Sequence, residues 1–182
     1  MLRLVIFLLG SAGLLILSWY SFKKPATHGF PRFFAFEALL ALVVINVPYW
    51  FITPISIPQL ISWSLLLVSA YLAISSILTF RKSGAPDPSI KDTSRIGFEK
   101  TTRLITHGPY RFIRHPMYAS LMLLALGVFL KQINIITFLL LLMIFIALVA
   151  TALLEEKENV NIFGNEYMNY MRHTRRFIPF LF

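Results

Sequence analysis

Residues 133–154 read INIITFLLLLMIFIALVATALL, and the five that follow, 155–159, read EEKEN. An uncharged run of this length is enough for an α-helix to cross a bilayer, which takes about 20 residues. The composition agrees with that reading. The 182-residue chain is 57% hydrophobic and 14% charged, against about 25% charged in an average soluble domain, and its mean hydropathy is +0.72. A soluble globular protein is set aside in favour of a small polytopic membrane protein.

Working outward from that run, Lys131 and Gln132 separate it from a shorter apolar stretch, Met117 to Leu130, and the two read as a helical hairpin with a tight turn. Upstream lie three more runs, Leu4 to Phe22, Phe33 to Ile52 and Gln59 to Phe80, the last two separated by an uncharged turn carrying Pro54 and Pro58. The first run follows Arg3 as a signal peptide would, but no small-residue cleavage site follows it. Lys23 and Lys24 close it, so a retained helix is expected. The expected fold class is an all-α integral membrane protein of about five transmembrane helices, the last two a hairpin. Beyond residue 154 the tail turns polar, with Gly164 and Asn165 as a helix stop and a new N-cap.

The formal charge is +9 and the sequence pI about 10.1. In a soluble chain that would suggest nucleic acid; among membrane spans it marks orientation, because short cytoplasmic loops collect Lys and Arg. With five spans, the loop holding Lys23, Lys24 and Arg32, the segment 81–114 and the C-terminal tail share one side, which carries 15 of the 17 Lys and Arg. Those parts are expected in the cytoplasm, with the N-terminus outside and no nucleic-acid partner. The chain has no cysteine, which excludes disulfides, a thiol nucleophile, cysteine-ligated zinc or iron–sulfur and a prenylated C-terminus. No metal ligand set is read.

The residues capable of chemistry fall in two places that this topology brings to one membrane face. One is the stretch from Thr101 to Tyr118; the other holds Glu155, Glu156 and Glu158, then Phe163, Gly164, Tyr167, Tyr170 and Arg176 to Pro179. Only the hairpin separates them, so His115 to Tyr118 and Glu155 to Asn159 are expected to face a common cavity. Each piece also has a plain structural reading. Arg111 and Arg114 suit snorkelling anchors, Tyr110, Tyr118, Tyr167 and Tyr170 an interfacial aromatic belt, the glutamates a solvated helix end, His107 and His173 ordinary interfacial residues, and Pro116 the first turn of a helix. Glu37, about one turn inside the second run, is read as a packing or interfacial carboxylate near Arg32, and Asn46 with Pro48 as a kink or polar contact.

The order and spacing of Leu104-Ile105-Thr106-His107-Gly108-Pro109-Tyr110, Arg114-His115-Pro116-Met117-Tyr118, an apolar hairpin, Glu155-Glu156, Phe163-Gly164-Asn165-Glu166-Tyr167, Tyr170 and Arg176-Phe177-Ile178-Pro179 resemble the isoprenylcysteine carboxyl methyltransferase family. That family belongs with the integral-membrane phospholipid methyltransferases. The resemblance covers roughly the C-terminal 80 residues, while the first three spans match in hydropathy alone. It implies S-adenosyl-L-methionine as cofactor, held by Thr102, Arg103, Leu104, Ile105, Tyr110, His115, Pro116, Met117, Tyr118 and Glu155. It further implies that residues 81–182 form the cofactor-binding part, and residues 1–80 a three-helix scaffold facing lipid and substrate.

These residue types match the groups such a cofactor presents. A carboxylate suits its ammonium, aromatic faces suit adenine or a sulfonium, and backbone amides suit a carboxylate. No glycine-rich dinucleotide motif is present. The expected activity is direct methyl transfer to a lipophilic acceptor, an isoprenylcysteine-like carboxylate or another lipid carboxylate or amine, with no covalent enzyme intermediate and no catalytic residue assigned. An amine acceptor must shed a proton, and Glu156 or a tyrosine is a candidate to take it. In the members that methylate prenylated cysteine an arginine lies one turn before the glutamate matched by Glu155. Here Thr151 holds that substrate-side position, with Arg111 or Arg114 as possible substitutes. Two rival readings are an NADPH-dependent enzyme like the membrane sterol reductases, which share an Arg-His-Pro-like helix start, and a non-catalytic membrane subunit whose basic loop binds anionic lipid.

Overall fold

A computed structural model describes residues 1–83 and 103–179. Six α-helices carry the fold: α1 Leu2–Lys23, α2 Gly29–Asn46, α3 Ile57–Ser83, α4 Pro116–Phe129, α5 Ile135–Phe163 and α6 Asn165–His173. Short 3-10 turns follow α2 at Val47–Tyr49 and precede α4 at Gly108–Arg111. Among the described residues there is no strand, only an isolated bridge between Ile113 and Arg175. α1, α2 with its 3-10 extension, α3 and α5 are long and apolar enough to cross a membrane. α4 is apolar but has 14 residues, about 21 Å of rise against a hydrocarbon core of about 30 Å. Of the about five expected transmembrane helices four are thus long enough to cross by themselves, and the short one is α4, from the shorter apolar stretch Met117 to Leu130.

Local chemistry explains where the helices begin and end. α2 stops at Asn46 because Pro48 withholds an amide and enforces a tighter turn; the Asn46 side chain donates to the Leu42 carbonyl at 2.9 Å. α5 opens on a reciprocal cap, with Asn134 Oδ1 accepting from the Thr137 amide at 3.0 Å and Thr137 Oγ1 accepting from the Asn134 amide at 3.1 Å. It then runs past Leu154, since Glu, Lys and Asn at 155–159 are tolerated in a helix, and ends at Gly164, whose φ of +56° is open to glycine. Asn165 is therefore the first residue of α6, and Gly164 itself is the cap.

The core forms where α2, α4 and α5 meet, around Leu42, Ala125, Val128, Ile144, Leu148 and Ala152. α4 and α5 are joined by a short turn, yet each lays more surface on another helix, α4 on α3 and α5 on α2. The α3–α4 seam is built on small residues, which let backbones approach. Ser62 Oγ donates to the Gly127 carbonyl at 2.6 Å and Ser69 Oγ to the Ser120 carbonyl at 2.7 Å. A Cβ at Gly127 would stand 3.0 Å from the Leu66 side chain and 3.2 Å from the Ser62 carbonyl oxygen. The seam runs antiparallel from Gln59 beside Lys131 at one end to Phe80 beside Tyr110 at the other.

The two ends of the bundle differ in kind. At one, Lys131 is buried, with its Nζ 3.4 Å from the centre of the Trp63 ring and 3.0 Å from Gln59 Oε1. At the other, His28 is buried and its Nδ1 lies 2.6 Å from Glu158 Oε2, tying the α1–α2 turn to the end of α5. α1 is the outlier: among the described residues it packs chiefly on α2 and buries only Ser21, so its apolar surface is left for lipid. The partner of Glu37 is the Ser11 hydroxyl of α1.

Candidate active site

The segment 103–115 is held against the tail by backbone pairing. The Arg114 amide donates to the Arg175 carbonyl at 2.7 Å, the His115 amide to the Arg176 carbonyl at 3.1 Å, and the Arg175 amide to the Phe112 carbonyl at 3.3 Å. Pro116 then starts α4 at its first position. At the same level α5 presents Glu155, Asn159 and Phe163, spaced by one helical turn each and so on one face. Beyond Gly164, α6 folds back over them with Tyr167 and Tyr170. Together with Phe80 at the end of α3 these elements line a half-open cavity.

Nine of the ten residues expected at a cofactor line this cavity: Arg103, Leu104, Ile105, Tyr110, His115, Pro116, Met117, Tyr118 and Glu155. Thr102 lies outside the described residues. Thr151 does not reach the cavity; it is wholly buried in α5, its hydroxyl donating to the Ala147 carbonyl at 2.7 Å. Phe80, Asn159 and Phe163 complete the wall. Phe80 packs edge-on to Tyr110, ring centres 5.5 Å apart, and nothing in its sequence context points to it. Asn159 had a readable signal, its spacing of four from Glu155.

The two adjacent glutamates have different surroundings. Glu156 is buried and receives Arg114 Nε at 2.8 Å, Arg176 Nη2 at 2.9 Å and Arg176 Nε at 3.1 Å. Arg114 also donates to the carbonyls of Thr174 and Met171. Glu156 is therefore the pin between α5, the α4 entry and the tail, and its lone pairs are taken up by guanidiniums. That arrangement removes it as a free proton acceptor, and Arg114 as a free substitute for the arginine that Thr151 replaces. Arg111, the other substitute, is exposed on the outer side of its turn.

Glu155 is a quarter exposed and turned to the cavity, with His115 Nδ1 at 3.6 Å from its Oε2. His115 Nε2 lies 3.4 Å from Glu156 Oε1. Burial alone would lower the His115 pKa, but the two carboxylates more than reverse it, and the imidazole is held above its ordinary value. Its ring stacks on Tyr118 at 5.4 Å. Burial pushes the Tyr167 and Tyr170 phenols up, so at neutral pH both keep their protons and act as donors; Tyr170 Oη donates to the Tyr110 carbonyl at 2.6 Å. The cavity thus offers one carboxylate, an imidazole, a guanidinium from Arg103 and several aromatic faces.

A family model described as phospholipid methyltransferase matches residues 58–166, from the start of α3 into α6. It takes in every wall residue of the cavity except Tyr167 and Tyr170. No curated protein and no solved structure matches the chain.

Proposed function

The chain belongs to the phospholipid methyltransferase family, integral-membrane methyltransferases related to the isoprenylcysteine carboxyl methyltransferases, and on that premise we propose that it transfers the methyl group of S-adenosyl-L-methionine to a lipophilic acceptor. The observation that carries the reading is the pairing, in one cavity, of the Glu155 carboxylate with the aromatic side chains of Tyr110, Tyr118 and Tyr167. The cofactor carries an ammonium, a carboxylate, a sulfonium and an adenine. Glu155 suits the ammonium. The Arg103 guanidinium and the turn at residues 103–108 suit the carboxylate, and the tyrosine faces the sulfonium or adenine.

S-adenosyl-L-methionine supplies an electrophilic methyl group when bound. The chain's own part is to orient and to exclude water, which for a direct displacement can account for much of the acceleration. α6 closes over the wall, and Tyr167 and Tyr170 seal it with apolar rings. No covalent intermediate with the protein is invoked. Because Glu156 is committed to two arginines and the phenols stay protonated, an acceptor amine would lose its proton to water at the mouth, while a carboxylate needs no base. The excess of Lys and Arg at this end of the bundle supports a cytoplasmic side for it, and the acceptor comes from the bilayer. On this reading residues 81–182 form the catalytic part, with Phe80 added from the scaffold.

The test is calorimetry on the detergent-purified protein with S-adenosyl-L-methionine, its demethylated product and NADPH. Binding of the first two and not the third is expected; binding of NADPH alone would overturn the proposal. A labelled methyl group carried into membrane extracts then identifies the acceptor as ester or amine.

A further inference from the structure

The backbone pairing that aims Arg114 and Arg176 at Glu156 leaves three other arginines outside. Arg111 sits at the end of the Gly108–Arg111 turn, Arg172 in the last turn of α6 and Arg175 in the paired tail, and all three are exposed. None of them is ion-paired with a carboxylate among the described residues; the Arg111 guanidinium rests 5.9 Å from the centre of the Phe112 ring. They surround one open hollow of about 540 Å³, completed by Phe112, His173 and Pro179. Through Arg111, Phe112 and Pro179 the hollow continues into a groove of about 1120 Å³ that runs along α3 past Tyr71, Ser75 and Thr79.

We propose that Arg111, Arg172 and Arg175 bind the phosphate of an anionic membrane phospholipid whose acyl chain lies in the groove beside α3. Among the described residues these three guanidiniums have no counter-charge; they repel one another, and a phosphate relieves that with charge-assisted hydrogen bonds. Independent snorkelling needs no shared hollow, whereas here two separate stretches of chain are locked together so that their arginines ring a single space. The groove decides the source of the phosphate. α3 crosses the membrane, and Tyr71 and Phe112 expose apolar rings along the groove, a surface that matches an acyl chain and is of no use to a free anion. A zwitterionic choline headgroup would bring a cation toward three cations. The site stands outside the cavity and does not depend on the methyl-transfer reading.

The experiment is native mass spectrometry of the full-length protein in micelles, titrated with phosphatidylglycerol or phosphatidylcholine. One phosphatidylglycerol per chain should be retained, with phosphatidylcholine at least tenfold weaker. The triple variant Arg111→Gln, Arg172→Gln, Arg175→Gln should lose at least tenfold in apparent affinity, and a Lys23→Gln, Lys24→Gln control should stay within twofold. If the triple variant melts well below the parent, Arg172→Gln alone serves, with about a threefold loss expected. Equal retention of both lipids, an unaffected arginine variant or an equal loss in the lysine control would overturn the proposal. So would displacement of the lipid by inorganic phosphate at the concentration at which a short-chain phosphatidylglycerol displaces it, because the hollow would then be a site for free phosphate.

Discussion

Replacing Glu156 by Gln should unfold the site, whereas replacing its neighbour Glu155 by Gln should empty it. The Glu156 and Arg114 side chains are 6% and 7% exposed and Arg176 is 20% exposed, so removing the carboxylate strands two guanidiniums with little water to compensate them. Breaking a buried pair in this way costs about 3–5 kcal/mol; the partial exposure of Arg176 places the expectation near the lower figure, a fall in melting temperature of roughly 10 °C for a chain of this size. The Glu155 side chain is 27% exposed, and its facing partner, His115, stands 3.6 Å away. Its loss should cost under about 1 kcal/mol of stability but remove a charge-assisted bond to the ligand, about 1.5–3 kcal/mol, or roughly 10- to 100-fold in affinity. Thermal unfolding in detergent and calorimetry with S-adenosyl-L-methionine read the two effects separately. An unchanged melting temperature for Glu156→Gln, or a Glu155→Gln protein that binds as the parent does, would refute the division of labour.

Other outcomes follow from the same geometry. The His115 pKa is raised by Glu155 and Glu156, so its stabilising contribution is full below an unfolded value of about 6.5 and is lost as pH rises through the higher folded value; melting between pH 6 and 9 should fall more steeply for the parent than for His115→Gln, and parallel curves would contradict this. Gly127→Val should destabilise by about 1–3 kcal/mol through overpacking of the α3–α4 seam, measured by thermal unfolding against Gly13→Val on α1, where a Cβ meets nothing within 4 Å. Ser62→Ala should cost about 0.6–1.7 kcal/mol by deleting its bond to the Gly127 carbonyl, read as a denaturant midpoint. Gly164→Ala forces a side chain onto a φ of +56°, a strain of about 1–3 kcal/mol; its signature should be weaker cofactor binding with α6 cut faster by protease.

Much of this was readable in the chain because hydropathy and charge act locally. The apolar runs located α1, α3 and α4 to within three residues, while α2 ends six residues before Ile52 and α5 continues nine past Leu154; the order of the motifs from Leu104 to Pro179 placed nine of the ten expected residues on one cavity wall. What escaped depends on three-dimensional neighbours. Neither serine at 62 or 69 announces that it will donate to a carbonyl on α4. Glu155 and Glu156 are chemically identical in sequence, and only the helical twist of about 100° between them sends one to the cavity and the other to two arginines. Thr151 lies one turn before Glu155 on the same face, but a turn deeper in the bundle, where the core covers it. The shortness of α4 was legible too, since Met117 to Leu130 is the shortest of the apolar runs, and the helix has 14 residues.

That shortness has a further meaning. Proline bars the residue before it from helical geometry, and His115, with φ −122° and ψ 59°, obeys, so α4 cannot be wound upward past Pro116. α3 and α5 continue, and beside them the chain from Arg103 to His115 travels outside α-helical geometry, with only the 3-10 turn Gly108–Arg111. Backbone without helical bonds is admitted at membrane depth only where protein covers it or it borders a water-filled hollow. The cavity is thus the space that a further turn or two of α4 would fill, and a Pro116→Ala variant would let the helix grow toward it.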